Sequence, residues 1–191
     1  MEIERTEKQI SVASPYNPDL PSSARKLGGK WDGSTKLWTF DIRDEARVEE
    51  LYRNIYGEWD SDIDIPICTV KVTATSEIYE GRGGIFICGR QVARATGRDS
   101  GARLGTGVVI LKGIGAVSGG SVKNWATIIR EDSIFEIRDV PVEMAKKEMD
   151  NPDPDYTVEI VGDTNIDKEL LIAEKAKLLT RIEEIDNILN S

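Results

Sequence analysis

The sequence predicts an α+β protein: a small β-α-β-β-α N-terminal module, a β-rich central barrel or sandwich, and a C-terminal coiled-coil-like helix. Three observations carry this. Two capped stripes at helical spacing flank a hairpin pattern in the first 58 residues. Short apolar alternations separated by glycine turns recur from residue 66 to residue 140. A heptad repeat occupies residues 164–191. The corresponding divisions are 1–58, 66–149, an acidic linker with a possible strand at 150–163, and the amphipathic helix 164–191.

In the first division, Ile10 and Val12 alternate with polar neighbours over residues 9–14, as a half-buried strand requires. Asn17-Pro18 supplies a cap and a first-turn proline; Leu20, Ala24 and Leu27 follow at helical spacing and Gly28-Gly29 stops the helix. A turn at residues 32–34 then separates Lys30-Trp31 from a strand over 36–42, with Trp38 and Phe40 on one face. Asp44 caps a second helix, whose stripe is Val48, Leu51, Tyr52 and Ile55 and whose stop is Gly57. Trp38 and Phe40 read as core aromatics; Trp31 is either a third core aromatic or an exposed stacking platform.

After the acidic stretch EWDSDIDIP, Cys68, Val70 and Val72 face one way and Thr69 and Lys71 the other. Residues 85–88 form a short buried run. Residues 90–96 read as one or two helical turns with Arg90 and Arg94 on one side, stopped by Gly97. Residues 108–111, 121–130 and 134–140 supply further strands, a brief helix follows Pro141, and residues 156–161 add one strand. In the last division Leu171, Leu178 and Ile185 repeat every seventh residue, with Lys175, Ile182 and Leu189 between them. Such a seam, ~36 Å long if helical throughout, makes a homo-oligomer through Leu171, Leu178, Ile182, Ile185 and Leu189 the expected assembly.

The order helix, glycine-flanked turn, K-x-W-x-F strand (Lys36, Trp38, Phe40) and closing amphipathic helix in SPYNPDLPSSARKLGGKWDGSTKLWTFDIRDEARVEELYRNIYG resembles the HARP domain, a small module attached to annealing helicases. That resemblance covers about a third of the chain and implies contact with DNA junctions or single strands. Arg25, Lys26 and Lys30 form a local basic patch beside Trp31.

Charge is distributed unevenly. The chain of 191 residues carries a formal net charge of −9. Residues 66–130, however, hold nine cations (Lys71, Arg82, Arg90, Arg94, Arg98, Arg103, Lys112, Lys123, Arg130) against three acids (Glu77, Glu80, Asp99), a net +6. Residues 1–65 sum to −5 and residues 131–191 to −10. Most of the arginines lie within a few residues of a glycine. Glycine lets backbone N–H groups turn toward a ligand, and guanidinium matches phosphate oxygens as a planar fork. Arg82, Arg90, Arg94, Arg98, Arg103, Lys112, Lys123 and Trp31 are therefore the candidate ligand-binding residues, with Arg94, Arg98 and Arg103 foremost. Asp99 orients a neighbouring guanidinium. The alternative is a charged surface with glycine turns.

Catalysis is not expected. There is no histidine, and two cysteines cannot make a zinc site. Cys68 and Cys88, both in apolar runs, read as buried thiols. Asp62/Asp64 and Asp153/Asp155 read as polar linkers rather than metal ligands, and no cofactor is implied. No apolar run reaches the ~20 residues of a membrane span. The charged start MEIERTEK is unlike a signal peptide, so a cytoplasmic protein is expected.

Three functions fit. The first is non-catalytic binding of nucleic acid, single-stranded or branched, or of a nucleotide. The second is an oligomeric sponge for a cyclic-nucleotide-type signal, which in a phage would counter host immunity. The third is an acidic inhibitor or scaffold that engages a basic partner protein.

Overall fold

Period-two alternation and capped helical stripes become strands and helices largely where the side chains dictate. The computed structural model describes residues 1–60 and 65–163. In chain order the elements are β1 (Glu2–Arg5), β2 (Gln9–Ala13), α1 (Leu20–Lys26), β3 (Lys30–Asp32), β4 (Leu37–Asp41), a 3-10 turn (Ile42–Asp44) and α2 (Glu45–Tyr56). Then come β5 (Ile67–Ala74), β6 (Ile78–Gly81), β7 (Gly84–Ile87), β8 (Arg90–Ala95), β9 (Ala102–Leu104), β10 (Val108–Lys112), β11 (Ala116–Gly120), β12 (Trp125–Ile129), β13 (Ile134–Pro141), α3 (Val142–Asp150) and β14 (Tyr156–Asp163). The class is thus α+β, mainly sheet with three helices. The heptad segment, with Leu171, Leu178, Ile182, Ile185 and Leu189, lies outside the described residues.

The N-terminal sheet is antiparallel in the order β1-β2-β4-β3. Ile10, Val12, Trp38 and Phe40 pack from it against Leu20 and Ala24 of α1 and Val48 and Tyr52 of α2. Strand β1 was not legible, because Ile3 is its one apolar residue. Trp59, in a stretch that reads as linker, is buried in this same core. Helix α1 begins later than Asn17-Pro18 suggests: Asp19 is its N-cap and Pro21 lies in the first turn. The Asn17 carboxamide oxygen instead accepts the Asp19 N–H at 2.9 Å, turning the chain ahead of the helix. At the end of α2, Gly57 takes φ +75°, a left-handed cap whose N–H donates to the Arg53 carbonyl.

A second core gathers Val70, Val72, Ile85, Ile87, Val92, Phe135, Ile137 and Met144. Three sheets surround it, in the orders β10-β13-β5-β14, β11-β12-β6 and β7-β8-β9. The barrel alternative is corrected: among the described residues no closed ring of strands forms. Strands β6, β7, β8, β9, β11 and β12 are only three to six residues long. The turns in this part of the chain hold residues at positive φ (Arg82, Cys88, Gly101, Gly113, Gly115). Thr127 joins two of the sheets: its buried hydroxyl accepts the Ala95 N–H at 2.8 Å and donates to the Gly83 carbonyl at 2.6 Å. The acidic linker at 150–163 is held rather than free. Asp155 accepts from the backbone N–H groups of Thr75 and Ser76, and β14 then pairs along β5.

Residues 90–96 are also corrected, from helical turns to strand β8. Pairing with β7 on one side and β9 on the other satisfies the β8 backbone, and Val92, Ala93 and Ala95 are buried. The register slips between Ile85/Phe86: Phe86 faces Gln91 but Ile85 faces Ala93, so Val92 is an extra residue in β8. A bulge of this kind re-aims the side chains beyond it.

The two cores meet closely. A Cβ on Gly57 would strike Met144 and Pro141, and one on Gly89, at φ +73°, would strike the Ile55 carbonyl and Met144. Asn17 Nδ2 donates to the Gly89 carbonyl at 3.3 Å, and Lys147 Nζ donates to the Asn54 carbonyl at 2.8 Å.

Trp38 is 4% exposed and Trp31 50%. Trp38→Ala is expected to lower unfolding stability by ~3–5 kcal/mol, as removal of a buried aromatic. Trp31→Ala should cost much less; denaturant titration of both variants checks the ranking, and the reverse order would contradict this packing.

Candidate functional site

Trp31 and Trp38 are direct partners across β3 and β4, so both indoles lie on one face of the sheet, with ring centroids 5.4 Å apart. Helix α1 covers Trp38 but stops short of the edge strand, which leaves Trp31 half exposed. The result is a cleft of about 430 Å³ between the β2–α1 loop, α1 and the β3–β4 hairpin. Tyr16, Trp31 and Trp38 supply its rings, Leu20 and Pro21 its apolar floor, and Arg25 and Lys36 its charge. The Arg25 guanidinium lies 5.7 Å from the Trp38 ring centroid, held over a π face. Among the described residues, no carboxylate lines the cleft.

The hairpin turn fixes Lys36. Asp32 Oδ1 accepts from the Ser34 N–H at 2.8 Å and the Ser34 hydroxyl at 2.6 Å. These bonds, led by the hydroxyl, hold the Asp32 carboxyl down at about 2. Lys36 itself sits at φ +58°, a left-handed conformation uncommon outside glycine.

None of the arginines and lysines of the glycine-arginine region is among the residues that line this cleft. Arg94 and Arg103 are partners across β8 and β9, exposed side by side. The bulge at Val92 puts Arg94 on the face of Phe86, and there it meets the cleft. Its guanidinium is 5.7 Å from the Tyr16 ring centroid, and Tyr16 packs edge-on against Phe86 with centroids 6.2 Å apart. Arg90, on the other side of the bulge, turns away. Its Nη1 donates to the carbonyls of Arg138 (2.5 Å) and Asp139 (3.1 Å), and its Nη2 to that of Thr106 (3.3 Å).

Arg98 is paired with Asp99 at 2.8 Å, and its carbonyl accepts the Ser118 hydroxyl. Arg82 is exposed in the β6–β7 turn at φ +56°, its N–H donating to the Trp125 carbonyl. Lys112 ends β10 and Lys123 lies in the β11–β12 turn, both exposed. Of the candidates, then, Trp31 lines the cleft, Arg94 meets it through Tyr16 with Arg103 opposite Arg94 on the next strand, and Arg90 ties backbone carbonyls. Tyr16, Arg25 and Lys36 were not singled out as ligand residues. Arg25 was legible in the basic patch beside Trp31 and Lys36 in the K-x-W-x-F pattern, but the joint placement of all three around Trp31 depends on tertiary structure.

Cys68 and Cys88 are free and buried. Burial first, and the Glu148 carboxylate second, push the Cys88 thiol up to about 12, so it is held protonated. Glu148 serves the fold: one oxygen accepts the Cys88 N–H at 2.9 Å and the other the Tyr156 hydroxyl at 2.6 Å. Among the described residues no group of three His, Cys, Asp or Glu side chains stands ready to hold a metal ion. Among them, too, no helix is long and apolar enough to cross a membrane. Comparison with protein-family models, curated proteins and solved structures finds no match to this chain.

Arg90→Ala should unfold more readily by ~1–3 kcal/mol, because three carbonyls lose their donor. Arg103→Ala, at an exposed strand position, should stay within about 0.5 kcal/mol of the parent. Equal thermal shifts for the two would refute this division of roles.

Proposed function

We propose that the protein is a non-catalytic binder of a phosphate-bearing ligand, single-stranded nucleic acid or a nucleotide, with a base seated against Trp31 in the N-terminal cleft. One observation carries this: three aromatic rings and two cations, with no carboxylate, line a cleft on a chain of net charge −9. An aromatic cage for a cationic ligand would not carry Arg25 and Lys36 in its wall, since both repel such a guest. A planar, anionic guest is favoured twice, by stacking on the indoles and by charge. The acidic remainder of the surface tolerates this, because fields beyond ~8 Å are screened at physiological salt. The resemblance of the N-terminal third to the HARP domain points toward the same ligand class.

The glycine-arginine surface contributes through Arg94, which meets Tyr16 at the cleft, and Arg103 opposite it, rather than as a separate cup. A second reading, capture of a small nucleotide signal, draws support from the cleft volume of about 430 Å³, within the range of small-molecule sites.

Titration with a fluorescein-labelled thymidine decamer, followed by anisotropy, tests the proposal. Trp31→Ala should weaken binding by ~1–3 kcal/mol, the cost of one lost base stack, with the fold intact by circular dichroism. Unchanged affinity in that variant would remove the cleft as the ligand seat.

A further inference from the structure

We infer that the site is shared by both cores: a single strand leaves the cleft over Tyr16 and lays its next phosphates on Arg94 and Arg103 of the central sheet. The inference rests on the cleft being a nucleotide seat and adds the length and course of the ligand.

Tyr16 links the two halves. It lines the cleft on one side, while on the other it touches Phe86 and the Arg94 guanidinium, and it is 60% exposed. A core aromatic would be covered; an idle surface tyrosine would not sit between an indole-walled cleft and a guanidinium. Its place is secured by the next residue, since Asn17 bonds to Gly89 of the central unit. The ring therefore does not depend on a free loop for its position.

Arg94 and Arg103 carry the second half. Like charges directly opposite across a strand pair destabilise a sheet, and among the described residues neither guanidinium has a carboxylate partner. The other arginines of the region differ: Arg98 is neutralised by Asp99, Arg130 by Glu77, and Arg90 is spent on carbonyls. Opposite Arg94 on β7 is Gly84, which presents no side chain to it. The bulge at Val92 delivers Arg94 to this face; regular pairing would send it to the face of Arg90. A like-charge pair left without carboxylate partners among the described residues, beside an aromatic step, is what successive phosphates of one strand would satisfy.

A mononucleotide cannot use all of this. Its one phosphate group is within the province of Arg25 and Lys36 at the cleft, whereas Arg103 lies a further strand spacing, ~4.8 Å, beyond Arg94. The ligand class is therefore a single-stranded oligonucleotide rather than a free nucleotide.

The test compares thymidine monophosphate with a thymidine decamer on the full chain. The variants are Arg94→Ala/Arg103→Ala, Arg94→Gln/Arg103→Gln in case the alanines disturb the sheet, and Arg25→Ala/Lys36→Ala. We expect both Arg94/Arg103 double variants to bind the decamer roughly ten- to a hundredfold more weakly while the monophosphate affinity holds. The slope of log affinity against log salt should fall by ~1.4, the release expected for two phosphates on a single strand. Arg25→Ala/Lys36→Ala should weaken both ligands. If the decamer binds the Arg94/Arg103 variants as it binds the parent, while Arg25→Ala/Lys36→Ala still weakens it, the bridge is wrong and the cleft stands. If the Arg94/Arg103 variants weaken both ligands equally, the bridge is likewise overturned. If neither ligand binds the parent, the cleft itself is not a nucleotide seat and both ideas fall.

Discussion

One extra residue in β8 governs the geometry on which the site depends. Val92 has no partner of its own in the β7 register, so Arg90 and Arg94 emerge on opposite faces of the sheet. Without the bulge, residues four apart on a strand would share a face. With it, Arg90 reaches back to clamp the carbonyls of Thr106, Arg138 and Asp139, while Arg94 turns outward beside Tyr16. The two arginines, alike in sequence context, thus acquire unrelated duties. Gly105 follows from the same arrangement: a Cβ there would overlap the Gln91 carbonyl, so the chain can return against β8 only with glycine.

The bulge would matter little if the two cores did not meet where they do. Gly57 caps α2 in a left-handed conformation and at the same point lets Pro141 and Met144 approach; Gly89 does the equivalent from the central unit. These contacts bring the β2–α1 loop against the β7–β8 turn, and Asn17 joins them. Local packing therefore concentrates rings and unpaired cations at one seam of an otherwise acidic molecule. Short-range contacts, not overall charge, would set affinity there.

Much of the fold was legible. The stripes Val48, Leu51, Tyr52, Ile55 and Leu20, Ala24, Leu27, and the alternations Cys68–Val70–Val72 and Trp38–Phe40, are governed by local spacing; all of these residues are buried except Leu51, Ile55 and Leu27, which are partly buried. What escaped had physical reasons. Adjacent Val92 and Ala93 break period two at the bulge, and Arg90 and Arg94 then mimic an i, i+4 helical pair. Strand β11, Ala116–Gly120, is nearly devoid of side-chain pattern, and β1 has one apolar residue. Of the site, Trp31 was visible as an aromatic outside the alternation, and Arg94 and Arg103 as cations among glycines. Their separation from Arg82, Lys112 and Lys123 was not visible, because strand order and register come from long-range pairing. Tyr16 carried no signal beyond residue type, and Lys36 stood out only as the first residue of the K-x-W-x-F pattern.

The chain has four tryptophans, each in a different setting: Trp31 half exposed in the cleft, Trp38 behind it, Trp59 in the N-terminal core, and Trp125 at the start of β12. Their indole N–H resonances therefore report on four places at once. Titration of the ¹⁵N-labelled protein with a thymidine decamer should move the Trp31 resonance first and furthest, with Trp38 following and Trp59 and Trp125 still. A saturable shift at Trp125 with Trp31 unmoved would place the ligand on the central sheet alone and contradict the cleft.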